Sequence, residues 1–267
     1  MPEIAFIGAG RMAGAMIRGL IASGAVEPGQ IGVRAGDDGT AEALAADTGV
    51  VACDSPAALL DGADVLVLAC KPYQLEQLEP GYREALSGAL LLSILAGTPH
   101  ERLRAALPGA RAWIWAMPNT PAQIGAGTMA WSVESPLSAE DGQRVELLLG
   151  SLGKVAQVEP AQMHAATGLS GSGPAYVFAF VEALAKAGEA EGLPAETALR
   201  LALSTASGSI RLMEKSGKAP AELITEVVTP GGTTEAGLKA LNPGLDSALR
   251  DCVAAGTQRS REIASGG

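Results

Sequence analysis

The chain has 267 residues, 48% hydrophobic and 18% charged, which is enough apolar material for one large domain or two small ones. Its 19 Lys and Arg stand against 29 Asp and Glu, a formal charge of -10, and only 3% of residues are aromatic. A polyanion would be repelled and no base-stacking platform is available, so nucleic acid is excluded as an expected partner.

Ile4 to Ile7 reads as a buried strand. It starts so early that no signal peptide is expected ahead of it. Arg11 to Ser23 reads as a helix, with Gly24 as its stop signal. Ile31 to Val33 is a second strand, Ala41 to Asp47 a helix, and Val50 to Ala52 extended. Ser55-Pro56 opens a helix, with Ser as N-cap and Pro at the first helical position. Val65 to Ala69 and Leu90 to Leu95 are further apolar strands, the first ended by Lys71-Pro72. Pro99 to Ala106 reads as a helix, Ala112 to Met117 as extended, and a hairpin is expected around Gly125 to Val133. This alternation predicts an α/β domain with a parallel sheet covered by helices on both faces.

From about Pro160 the signals become helical: Ala161 to Thr167, Pro174 toward Gly188, Pro194 to about Lys215, Pro220 to Val228, and Leu245 to Ile263. The fold class is therefore an N-terminal α/β domain of Rossmann type, residues 1–160, followed by an all-α domain, residues 161–267. The run Ala175 to Val181 is apolar on every side of its helix, so a second subunit is expected to cover it. That run is too short to span a bilayer, and no membrane association is expected. Cys53, Cys70 and Cys252 lie far apart with no C-x-x-C pair. Neither a disulfide framework nor a metal site is predicted, and a cytoplasmic location is expected.

Gly8-Ala9-Gly10-Arg11-Met12-Ala13 fits G-x-G-x-x-G/A directly after a strand and before a helix. Gly8 allows the tight turn, Gly10 lets a pyrophosphate approach the backbone, and Ala13 is small enough for close packing of helix on strand. The helix N-terminus adds free N–H groups and positive charge. NAD-binding folds usually carry an acid about 20 residues on, at the tip of strand two. Here that tip is Val33-Arg34-Ala35-Gly36, and Arg34 suits a 2'-phosphate. NADP(H) is the expected cofactor, with NAD(H) the alternative.

In the second half, Pro230-Gly231-Gly232-Thr233-Thr234 makes a carboxylate cradle. Its turn exposes successive N–H groups, the following helix adds its positive end, and two threonines add hydroxyls. Taken alone, such a turn also reads as a plain helix–helix connection. Thr167 to Tyr176 likewise sets small residues before a helix.

Together these segments resemble pyrroline-5-carboxylate reductases. The resemblance runs from Ile7 to Arg261, through the glycine turn, Lys71-Pro72, Met117 to Pro121, Leu169 to Tyr176 and Pro230 to Thr234. It implies hydride transfer from NADPH to C5 of Δ1-pyrroline-5-carboxylate, giving L-proline. It also implies a homodimer through the C-terminal helices, often with dimers assembled further into rings. The implied cofactor positions are Ile7, Gly8, Ala9, Gly10, Arg11, Met12, Arg34, Ala35, Ala69, Cys70, Lys71, Pro72, Ile94, Leu95 and Ala96. The implied substrate positions are Gly231, Gly232, Thr233 and Thr234, with the Thr234 hydroxyl, the expected catalytic group, near the imine nitrogen. Two departures stand out. Ser55-Pro56 replaces an Asn that some relatives carry as a cofactor contact, and Ser216-Gly217-Lys218 replaces an acidic substrate contact.

The other candidate groups read as structural. His100 and His164 have no partner identifiable from sequence. Cys70 reads as a small buried residue, and Trp113, Trp115 and Trp131 read as core. Lys71 either faces the cofactor or only shapes the turn with Pro72. Two rivals remain open here: a reductase of the same architecture acting on a hydroxy acid or another imine, and a nicotinamide-binding protein without catalysis. The absence of a lysine from Leu169 to Val181 counts against the first, and the intact cradle against the second.

Overall fold

A computed structural model describes residues 2–265. Met1, Gly266 and Gly267, which the expected domain spans include, lie outside the described residues. The strands are β1 (Ile4–Ile7), β2 (Ile31–Arg34), β3 (Val51–Ala52), β4 (Val65–Leu68), β5 (Leu90–Ser93), β6 (Ala112–Met117), β7 (Gly127–Val133) and β8 (Gly153–Gln157). The helices are α1 (Arg11–Ala22), α2 (Thr40–Thr48), α3 (Pro56–Leu60), α4 (Pro80–Ala85), α5 (His100–Ala106), α6 (Ala139–Gly150), α7 (Met163–Ala166), α8 (Gly173–Ala190), α9 (Ala195–Ser216), α10 (Pro220–Val227) and α11 (Thr233–Ala264).

The strands form one 8-stranded sheet in the order β3-β2-β1-β4-β5-β6-β7-β8. Strand neighbours are parallel except β6 and β7, the expected hairpin, which pair antiparallel. The sheet is therefore parallel-rich, not wholly parallel. Strands β1, β4 and β5 are buried along their whole length. Alternate residues feed two cores. Phe6, Val67 and Leu92 pack with Ile17 and Leu20 of α1 and Val145 of α6. Ile7, Leu66 and Leu91 pack with Leu59 of α3, Tyr82 of α4 and Leu103 of α5. Burial on both faces explains why these strands are continuous apolar runs.

Neither α6 nor β8 was expected from the sequence. Strand β8 is an edge strand with little burial, and its GKVAQ sequence has few strand formers. The last helix also begins earlier than expected, at Thr233, and runs through Pro243. The residues around Pro243 are exposed, so water can satisfy the carbonyl that loses its N–H partner.

By compactness the chain divides into one unit of residues 1–172 with 255–267, and another of 173–254. The first unit is closed by the end of α11. Gly97 has φ +62, and a Cβ there would stand 2.4 Å from Ile263 Cγ2. His164 Nδ1 lies 3.0 Å from Ser260 Oγ. Between α7 and α8 the backbone forms one π-type turn, Thr167–Gly171. In the second unit α8 and α9 pack closely: a Cβ at Gly188 would meet Leu193 and Ala198 at 3.3 and 3.4 Å. No described helix is long and apolar enough to cross a membrane.

Ser55 caps α3 as expected, its hydroxyl accepting from the Ala58 N–H at 3.2 Å. Ser55→Ala is expected to lower stability by about 1 kcal/mol, read by chemical denaturation at unchanged m-value.

Candidate active site

The strand order reverses between β1 and β4, and ligands of open α/β sheets bind at the carboxyl ends of strands at such a switch point. A cleft of about 960 Å³ lies there. Its lining includes all the cofactor positions expected from sequence: Ile7 to Met12, Arg34 and Ala35, Ala69 to Pro72, and Ile94 to Ala96.

Each part of the glycine turn fits a diphosphate. Gly8 is buried with φ +108, and its N–H donates to the Arg34 carbonyl at 2.8 Å. A Cβ on Gly8 would stand 2.6 Å from the carbonyl carbon and oxygen of Ala69. Gly10 has ordinary backbone angles, and a Cβ there would meet nothing within 4 Å. Its missing side chain therefore leaves open space at the cleft, not packing room. Ala13 is fully buried in the core under the turn. Helix α1 has no side-chain cap and no acid in its first turn, so its positive end is left for a ligand.

Arg34 ends β2. Its Nη1 pairs with Glu79 Oε1 at 2.7 Å and donates to the Tyr82 hydroxyl at 3.2 Å. Its guanidinium carbon lies 5.9 Å from the centre of the Tyr82 ring. Burial opposes the charge on Arg34, but Tyr82 and Glu79 outweigh it and its pKa moves up. Burial pushes the Tyr82 phenol up against the pull of Arg34. Arg34 is thus a fixed cation and Tyr82 a neutral phenol at neutral pH. Glu79, Tyr82 and the neighbouring Tyr73, Gln74, Gln77 and Leu78 also line the cleft and were not anticipated. They follow β4, where Pro72 and Pro80, each opening a helical turn, were the available signal.

Burial pushes the Cys70 thiol up to about 11, so it meets the cleft as a neutral, unreactive group. The Lys71 side chain is exposed, while its backbone N–H donates to Gln74 Oε1 at 2.8 Å and helps build the turn. Asp37 and Asp38 are exposed, and Asp38 accepts from Thr40. Ser55 does not line the cleft; its hydroxyl serves the first turn of α3 instead.

Both histidines have structural partners outside the cleft. His100 is buried with Nε2 3.0 Å from the Ser132 carbonyl. Burial, then Arg261, lowers the pKa of His164. Both rings pack edge-on against Trp115, at 6.0 and 5.3 Å. Trp115 and Trp131 are buried, and Trp113 donates to the Leu107 carbonyl.

In the second unit, Gly231 has φ +73 and α11 begins at Thr233. Two of the N–H groups expected to be free are engaged. That of Gly231 donates to Glu235 Oε2 at 2.7 Å, and that of Gly232 to the Thr229 carbonyl at 2.9 Å. A Cβ at Gly232 would collide with Thr229 Oγ1 at 2.4 Å, so glycine is needed for this closure. The first-turn N–H groups of Thr233 and Thr234 have no intrahelical acceptor. They, the N–H of Glu235 and the two hydroxyls are the donors of this first turn. The pKa of Glu235 is lowered, first by the Gly231 N–H and then by Lys239.

Comparison with known proteins agrees across both halves. Residues 160–263 match the family model described as pyrroline-5-carboxylate reductase dimerisation, and residues 3–97 match one described as NADP oxidoreductase, coenzyme F420-dependent. A pyrroline-5-carboxylate reductase of Arabidopsis thaliana is 36% identical over 98% of this chain and 95% of its own length. The structure of a pyrroline-5-carboxylate reductase from Coxiella burnetii superposes with TM-score 0.92 at 32% identity, covering 98% of each chain. That of Plasmodium falciparum pyrroline carboxylate reductase with NADP bound gives TM-score 0.84 at 27% identity, again over 98% of each chain. With a dinucleotide cleft at the switch point, a glycine-threonine turn at the head of α11, and full-length similarity to these proteins, the chain belongs to the pyrroline-5-carboxylate reductase family.

Proposed function

We propose that this chain reduces Δ1-pyrroline-5-carboxylate to L-proline with NADPH, in proline biosynthesis. The observation that carries this reading is similarity to family members along nearly the whole chain, in a fold whose switch-point cleft is lined by every expected cofactor position. The turn of α1 holds the diphosphate, and Arg34 holds the 2'-phosphate. Gly231 to Thr234 hold the substrate carboxylate, chiefly through the N–H and hydroxyl groups of Thr233 and Thr234. Residues 1–160 serve the cofactor, and residues 161–267 serve dimerisation and substrate.

NADPH, when bound, supplies the hydride: a C–H bond forms at C5 while the C=N π pair becomes the nitrogen lone pair. If the imine arrives protonated, its carbon is already electrophilic and no strong acid is needed. Thr234 Oγ1 accepts a hydrogen bond from the ring N–H and orients C5. A threonine hydroxyl is too weak an acid to do more than position. Thr234→Ala is expected to lower kcat about tenfold to a hundredfold, the value of a hydrogen bond to a charged group, with NADPH affinity unchanged. Unchanged kcat would refute the role. The activity itself is tested by NADPH oxidation with pyrroline-5-carboxylate, against a keto-acid substrate and no substrate; oxidation with the keto acid alone would favour the rival reductase.

The assembly follows from the exposed apolar side chains of α8 and α9, including Val177, Phe178, Phe180, Leu199 and Leu203. We infer a homodimer through these C-terminal helices, with further assembly into a ring. A cytoplasmic location agrees with three free cysteines.

A further inference from the structure

Arg34 is the group in the cleft suited to distinguish NADPH from NADH, and a carboxylate of the same chain already sits on it. Glu79 immediately precedes Pro80, the first residue of α4, and α4 is anchored by buried Tyr82. The backbone at Glu79 is therefore held in place, and its Oε1 meets Arg34 Nη1 at 2.7 Å. The Arg34 side chain is 18% exposed, that of Glu79 52%. Tyr82 also holds the guanidinium: its hydroxyl accepts from Nη1 at 3.2 Å and its ring centre lies 5.9 Å from the guanidinium carbon. Meanwhile Arg34 Nε is buried without a partner among the described residues.

We propose that Glu79 is a specificity-determining residue that weakens the preference of this enzyme for NADPH over NADH by competing with the 2'-phosphate for Arg34. This rests on the reading of Arg34 as the 2'-phosphate contact. A 2'-phosphate must displace the carboxylate, which costs the Arg34–Glu79 ion pair, or share the cation with it, which sets two anions face to face. A cofactor with a plain 2'-hydroxyl meets neither penalty. Glu79 is half exposed and has solvent to turn into, so it reduces discrimination without abolishing NADPH binding.

The test is equilibrium binding of adenosine 2',5'-bisphosphate and of 5'-AMP to the apoprotein by calorimetry, at fixed ionic strength. Glu79→Gln is expected to tighten the bisphosphate about threefold to tenfold, in keeping with a partly exposed ion pair, and to leave 5'-AMP unchanged. The gain is expected to vanish in an Arg34→Gln background, which should itself lose most of the preference for the bisphosphate. A Glu79→Gln protein that binds the bisphosphate no better, or worse, overturns the proposal while leaving the Arg34 contact intact; so does an equal gain for 5'-AMP. If Arg34→Gln keeps the full bisphosphate preference, the Arg34 reading fails and the proposal with it. Near-wild-type thermal unfolding of each variant shows that the differences arise at the site.

Discussion

Gly8→Ala is expected to destabilise the protein by about 2–5 kcal/mol and to remove measurable NADPH binding, whereas Gly10→Ala should remove binding with stability nearly unchanged. The two glycines stand in one turn but do different work. At Gly8 the backbone has φ +108, and an added methyl would lie 2.6 Å from Ala69 and 2.7 Å from the Cys70 nitrogen. Those are backbone atoms just beyond β4, so relief requires the β1 and β4 ends to separate, at the proposed diphosphate contact. At Gly10 the methyl meets no protein atom. It would fill the space left for the ligand. Thermal unfolding and an NADPH fluorescence titration on both variants separate the two effects. Equal loss of stability in both would contradict this division.

Phe178→Asp is expected to convert the proposed dimer into a monomer at micromolar concentration. Phe178 is 64% exposed in the isolated chain and lines an apolar groove of about 650 Å³ formed by α8 and α9. Burying one such side chain contributes about 1.5–3 kcal/mol. In a two-fold interface each substitution counts twice, so the dissociation constant should rise by a factor of about a hundred to ten thousand. Light scattering reads the mass directly. A variant that stays dimeric would place the interface elsewhere.

The cofactor half was legible because its physics is local. Buried parallel strands are apolar throughout, the turn between β1 and α1 is spelled by Gly8, Gly10 and Ala13, and Ser55-Pro56 announces its own cap. The rest depends on partners distant in sequence. Strand β8 has weak strand formers and exists because β7 offers it a parallel edge. The π-type turn at Thr167–Gly171 has no sequence signature beyond small residues. A helix was expected after the Gly231–Thr234 turn, but Pro243 hid that it runs unbroken into the last one as α11. Least visible was Glu79: nothing at positions 34 and 79 signals that they meet, because their approach is set by how α4 packs through Tyr82.

The closure of the first unit by residues 255–265 bears on how the chain is made. Gly97 and His164 find Ile263 and Ser260 only after residues 260–263 have been synthesised, long after the strands they sit beside. On the ribosome, then, the nucleotide-binding half emerges first but finishes last. A chain that stops ahead of Ala255 lacks Ser260 and Ile263, so Gly97 and His164 lose these neighbours and the first unit stays unclosed.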